Sequence, residues 1–113
     1  MLEAEERVPL PEQGDRLTGA VELFKALASP VRLFVVAELG AGARCVHELL
    51  DALREQGREV SQPLLSQHLK VLRSVGLVAT TRRGTEITYE LVDEHVAHIV
   101  NDAIRHSQEE QRT

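Results

Sequence analysis

Apolar residues recur at steps of three and four along most of this chain, so the pattern predicts helices first. Between Leu17 and Ala28 they fall at Leu17, Ala20, Val21, Phe24, Leu27 and Ala28, one stripe of an amphipathic helix. Ser29-Pro30 interrupts the stripe with a good N-cap and a proline suited to a first helical position, which predicts a second helix from Pro30 to Leu39, ended by Gly40. A third helix is expected from Arg44 to Leu53 through Cys45, Val46, Leu49, Leu50 and Leu53, fraying at Gly57. Ser61-Gln62-Pro63 restarts the chain into a fourth helix carrying Leu64, Leu65, Leu69, Val71 and Leu72 as far as Gly76. The period then changes. Leu77 to Thr81 is apolar and β-branched, and Glu86 to Leu91 alternates Ile87, Tyr89 and Leu91 with polar neighbours. With Arg82-Arg83-Gly84-Thr85 as the turn, these two segments predict a β-hairpin with an arginine-rich tip. A fifth helix from Val92 to about Glu109 places Val92, Val96, Ile99, Val100, Ala103 and Ile104 on one stripe. The fold expected is mainly α with a small β-hairpin: a winged helix-turn-helix of five helices and a two-stranded wing.

Residues 1–16 lie outside this pattern. Pro9, Pro11, Gly14 and five acids without an apolar face predict a flexible acidic leader, followed by one domain over residues 17–113. Hydrophobic residues make up 42% of the 113, but aromatics only 3% with no Trp, so the core must be aliphatic and an aromatic-lined ligand pocket is not expected. No apolar run has the length of a membrane span. The acidic start, Met1-Leu2-Glu3-Ala4-Glu5-Glu6, is unlike a signal or transit peptide, which leads to a cytoplasmic expectation. The single cysteine, Cys45, rules out an internal disulfide and a Cys-only zinc finger.

The net charge of −5 speaks against nucleic acid until the charges are located. Residues 61–85 hold four bases, Lys70, Arg73, Arg82 and Arg83, and no acid, whereas residues 86–113 hold seven acids and two bases. That acid-free window spans the fourth helix and the wing, the two elements a winged helix lays on DNA. On the fourth helix Leu65, Leu69 and Leu72 share one face, leaving Gln62, Ser66, Gln67, His68 and Lys70 as candidate base and phosphate contacts. Arg82 and Arg83 are the candidate contacts from the wing.

Several motifs in this order resemble the ArsR/SmtB family of metal-responsive winged-helix repressors over roughly Leu17 to Glu109. They are Phe24-Lys25-Ala26-Leu27-Ala28-Ser29-Pro30-Val31-Arg32, Cys45-Val46-His47-Glu48-Leu49, Ser61-Gln62-Pro63-Leu64-Leu65-Ser66-Gln67-His68-Leu69-Lys70-Val71-Leu72, and Gly76-Leu77-Val78 with the wing. The resemblance implies a homodimer on an imperfect inverted repeat of operator DNA, released when metal binds. It also implies no small-molecule substrate. The link Arg54 to Val60 is about five residues longer than the family pattern leads one to expect.

The last helix carries Asp93-x-His95 and, after ten residues, His106-x-x-Glu109. His95 and His106 are about three turns apart, so they share a face but stand about 16 Å apart along the axis. One helix cannot join them. Two copies packed antiparallel about a twofold axis can, because residues whose numbers have a constant sum meet, and the sums for His95 with His106 and Asp93 with Glu109 differ by one. Two imidazoles and two carboxylates suit tetrahedral Zn²⁺, with Co²⁺ as a surrogate and Ni²⁺ if extra ligands are recruited. The family's C-terminal-helix zinc sites follow the same pattern. Asp93 could equally be the helix N-cap, Glu109 a polar tail residue, and His98 a rival ligand or a partner of Asp102. By the same resemblance Cys45-x-His47 stands where a second type of family site places thiolates, but the leader has no Cys or His to complete it. The expected function is a zinc-responsive repressor; the alternatives are a metal-independent winged-helix regulator and a nickel or cobalt sensor of the same family. Four protein ligands leave no open metal position for catalysis, so an enzyme is not expected.

Overall fold

The computed structural model describes the chain from Leu10 to Arg112, and its side chains from Arg16 to Glu109. Five helices and three short strands follow in the order α1 (Leu10–Leu27), α2 (Pro30–Leu39), β1 (Arg44–Cys45), α3 (Val46–Glu55), α4 (Gln62–Ser74), β2 (Val78–Arg83), β3 (Glu86–Leu91) and α5 (Glu94–Arg112).

Helix α1 begins seven residues before the expected start. The leader expected over residues 1–16 is therefore helical from Leu10 on, and its remainder, residues 1–9, lies outside the described residues. Pro11 falls in the first turn, where a missing N–H leaves no helical hydrogen bond unmade, so it does not stop the helix. Helix α2 starts as its sequence dictates: Ser29 is extended (φ −159°, ψ 133°), its Oγ accepts the Arg32 N–H at 3.2 Å, and Pro30 follows at the first position. Gly40, which ends α2, is in the right-handed region, so its role is space. A Cβ there would stand 3.0 Å from Ala97 Cβ of α5 and 3.1 Å from the Ala37 carbonyl oxygen.

The third helix starts later than expected. Arg44 and Cys45 form β1, opposite Tyr89 and Thr88 of β3, and Glu48 Oε1 accepts the Cys45 N–H at 2.8 Å as α3 begins. The sheet thus has three antiparallel strands in the order β1-β3-β2, one more than the expected hairpin. Arg82 and Arg83 also belong to a strand rather than to the turn, opposite Ile87 and Glu86; the two-residue loop is Gly84-Thr85, with Gly84 at φ +61°. Helix α4 is capped by Ser61, whose Oγ accepts the Leu64 N–H at 3.2 Å. Helix α5 is entered through Asp93, whose Oδ1 accepts the His95 N–H at 2.7 Å.

The core is aliphatic. Val35 and Val36 of α2, Leu49 and Leu53 of α3, Leu65, Leu69 and Leu72 of α4 and Val100 of α5 are all fully buried and belong to one cluster. Helix α2 runs through its centre and packs against α1, α3, α4 and α5. No helix among the described residues is long and apolar enough to cross a membrane.

Candidate nucleic-acid interface and metal centre

Three leucines orient α4. Leu65, Leu69 and Leu72 lock one face of α4 into the core, which leaves Gln62, Ser66, Gln67 and Lys70 exposed on the rest. Toward the end of the helix Lys70, Arg73 and Ser74 line a shallow groove of about 320 Å³ with two cations at its edge, a surface suited to phosphate. Arg73 belongs with the candidate contacts; its place in the acid-free window was the available signal. Arg82 and Arg83 are both exposed on the wing. As consecutive strand residues they project to opposite faces of the sheet, so they flank the wing instead of crowning its tip.

His68 is placed differently from its neighbours. It is half-buried, with Nδ1 2.9 Å from Arg32 Nη1, while Arg32 Nε donates to the Ala26 carbonyl. A guanidinium can only donate, so Nδ1 accepts and the neutral ring carries its proton on Nε2. Burial, and then the Arg32 charge, lower its pKa below the usual histidine value of 6.5. Arg32 therefore ties the end of α1 and the start of α2 to the middle of α4. Sequence reading gave Arg32 no role, because its two partners lie 6 and 36 residues away with no periodicity linking them.

At the other end of the molecule Asp93 and His95 meet directly, Oδ1 to Nδ1 at 2.8 Å, with His95 87% exposed. The Asp93 carboxyl is held below its ordinary pKa, chiefly by the His95 backbone N–H it accepts and further by the imidazole. In this arrangement the Asp93 carboxylate and the His95 imidazole lie side by side at the start of α5, exposed to solvent. His106 and Glu109 are exposed further along α5. Among the described residues no three His, Cys, Asp or Glu side chains of one chain converge as a metal site, and the long helical separation of His95 from His106 is the reason. Cys45 and His47 border a separate groove of about 520 Å³, between the start of α3 and the wing, together with Gln62 and Glu86.

A third surface joins these parts. Leu17, Val21 and Phe24 of α1 and Ile99 of α5 are large apolar side chains left exposed. Between α1 and α5 runs an apolar groove of about 250 Å³ lined by Phe24, Leu27, Ala28, Leu33, Ile99 and Ala103. Val100 also borders this groove but belongs to the protomer's own core, with 1% of its surface exposed; Ile99 faces outward at 43%.

Residues 29–80 match the family model described as bacterial regulatory protein, arsR family. The HTH-type transcriptional repressor SmtB of Mycobacterium tuberculosis is 49% identical over 102 residues, 90% of this chain and 72% of that protein. The chain belongs to the ArsR/SmtB family. In the same organism the HTH-type transcriptional regulator NmtR is 36% identical over 107 residues, covering 95% of this chain and 85% of that protein. Among solved structures, the homodimeric winged helix-turn-helix DNA-binding domain of a possible ArsR-family regulator from Mycobacterium bovis superposes with a TM-score of 0.74 at 27% identity, covering 88% of this chain and 87% of that one. The fold and family are those of DNA-binding transcriptional regulators, not enzymes.

Proposed function

We propose that this ArsR/SmtB repressor binds an inverted-repeat operator in the cytoplasm as a homodimer and is released when zinc occupies two sites bridging its C-terminal helices. The observation that carries the reading is the register of α5. At about 100° per residue, His95, Ile99, Ala103, His106 and Glu109 lie within one band of the helix surface, while Val96, Val100 and Ile104 face the protomer's core. An antiparallel pairing of two α5 helices that sets Ile99 against the partner's Ala103 has the same register as one that sets Asp93 against Glu109, and differs by one residue from that of His95 against His106. One antiparallel dimer thus accommodates an Ile99–Ala103 contact and both ligand pairs together. Each site would take Asp93 and His95 from one protomer, and His106 and Glu109 of the partner subunit, a donor set suited to tetrahedral zinc. Bound there, the ion supplies a cross-link between the two helices.

The DNA contacts assigned to Gln62, Ser66, Gln67, His68 and Lys70 on α4 and to Arg82 and Arg83 on the wing lie in each protomer away from the α5 pairing. Metal binding can reach them only through the dimer geometry that sets the spacing of the two reading helices. Operator binding measured by fluorescence anisotropy without metal and with Zn²⁺, Co²⁺ or Ni²⁺ tests the reading. Release by zinc at the lowest free concentration supports it. Release by nickel or cobalt alone would make the protein a sensor of those ions, and indifference to all three would make it a metal-independent regulator.

A further inference from the structure

The reading helix carries an apolar side chain that its polar neighbours do not explain. Leu64 lies in the first turn of α4, is 45% exposed, and takes no place in the aliphatic core. It neighbours Gln67 at the i, i+3 spacing and follows Pro63, which stiffens the turn that presents it. The N-terminal turn of a recognition helix is the part that approaches base edges. The sequence around it favours nucleic acid over a protein partner: no acid occurs in residues 61–85, and Lys70, Arg73, Arg82 and Arg83 flank the stretch, although Glu86 shares a groove with Gln62. In a major groove the one apolar feature of a base pair is the C5-methyl group of thymine.

We infer that Leu64 determines operator specificity by packing on a thymine methyl group in each half-site, beside the base pair that Gln67 reads. The inference rests on the operator reading above and adds a base identity to it. Val71 is also exposed but stands two turns later in the helix, away from the N-terminal turn, and takes no part in reading the methyl.

The test starts from a random-sequence duplex library enriched on the full-length, metal-free protein. Each thymine of the enriched repeat is then replaced in turn by deoxyuridine, which keeps the base pair and removes only the methyl group. At one position in each half-site, a single replacement should weaken the wild type roughly three- to fivefold. Leu64→Ala should bind the thymine and deoxyuridine duplexes equally, and should match the wild type on the deoxyuridine duplex, which shows that the variant is folded. Val71→Ala should keep the full methyl effect. An enriched repeat indifferent to every methyl, or a methyl effect that survives in Leu64→Ala or vanishes in Val71→Ala, overturns the assignment to Leu64. Failure of the wild type to enrich any sequence would overturn the operator reading itself.

Discussion

Arg32 shows how one side chain can set the position of a reading helix. It bonds the Ala26 carbonyl and His68 together, so its removal leaves a carbonyl and an imidazole nitrogen without their donor. Arg32→Ala should cost about 1–3 kcal/mol in urea unfolding, the usual range for an orphaned, partly buried polar group. His68 adds a dependence on pH. Its folded pKa lies below the ordinary histidine value of 6.5, so the folded state prefers the neutral ring. That preference is fully present above 6.5 and is lost as pH falls from there through the folded value, when the proton must enter beside the Arg32 charge. The melting temperature of the wild type should accordingly fall more steeply on acidification below pH 6.5 than that of His68→Asn, which keeps an acceptor but does not titrate. Parallel curves for the two proteins would contradict this.

At the scale of elements, α5 has two working faces. Ile99→Asp places a charge on the outer one and should give folded monomers in sedimentation equilibrium, with normal helical circular dichroism and weak operator binding. Val100→Asp buries a charge in the core and should unfold the chain. The apolar pattern of α5 was legible because a helix repeats its faces, but a stripe wide enough to serve both core and partner does not say which residue serves which. Strand β1 was hidden for a different reason. Two residues have no periodicity, and Arg44 and Cys45 are strand only because Tyr89 and Thr88, far along the chain, pair with them. A local hairpin pairing with Ile87 and Glu86 carries β2 through Arg82 and Arg83, which composition alone made into a turn. Replacing both by Ala should flatten the plot of log affinity against log salt by about 0.9 for each phosphate no longer neutralised. An unchanged slope would remove the wing from the interface.

For the whole molecule, the metal prediction depends on assembly. His106→Gln and His95→Gln should each bind operator normally without metal and fail to release it with zinc, whereas Cys45→Ser should still respond, as read by anisotropy. The reverse pattern would move the sensing site to the groove beside α3. Linkage requires operator DNA to lower zinc affinity by the factor with which zinc lowers operator affinity. The ligand spacing was readable in the sequence, but the proposed site joins residues of two copies, so the fold of one copy brings no such group together among the described residues. The packing of Gly40 against Ala97 bears on how the copies communicate. With no side chain between them, α2 and α5 meet backbone to methyl, and a turn of α5 about its own axis finds no compliant layer to absorb it. A rotation of α5 on forming the proposed dimer would therefore press directly on α2, whose Arg32 is bonded to His68 of α4, so the dimer geometry and the setting of α4 within each protomer would be joined by contact.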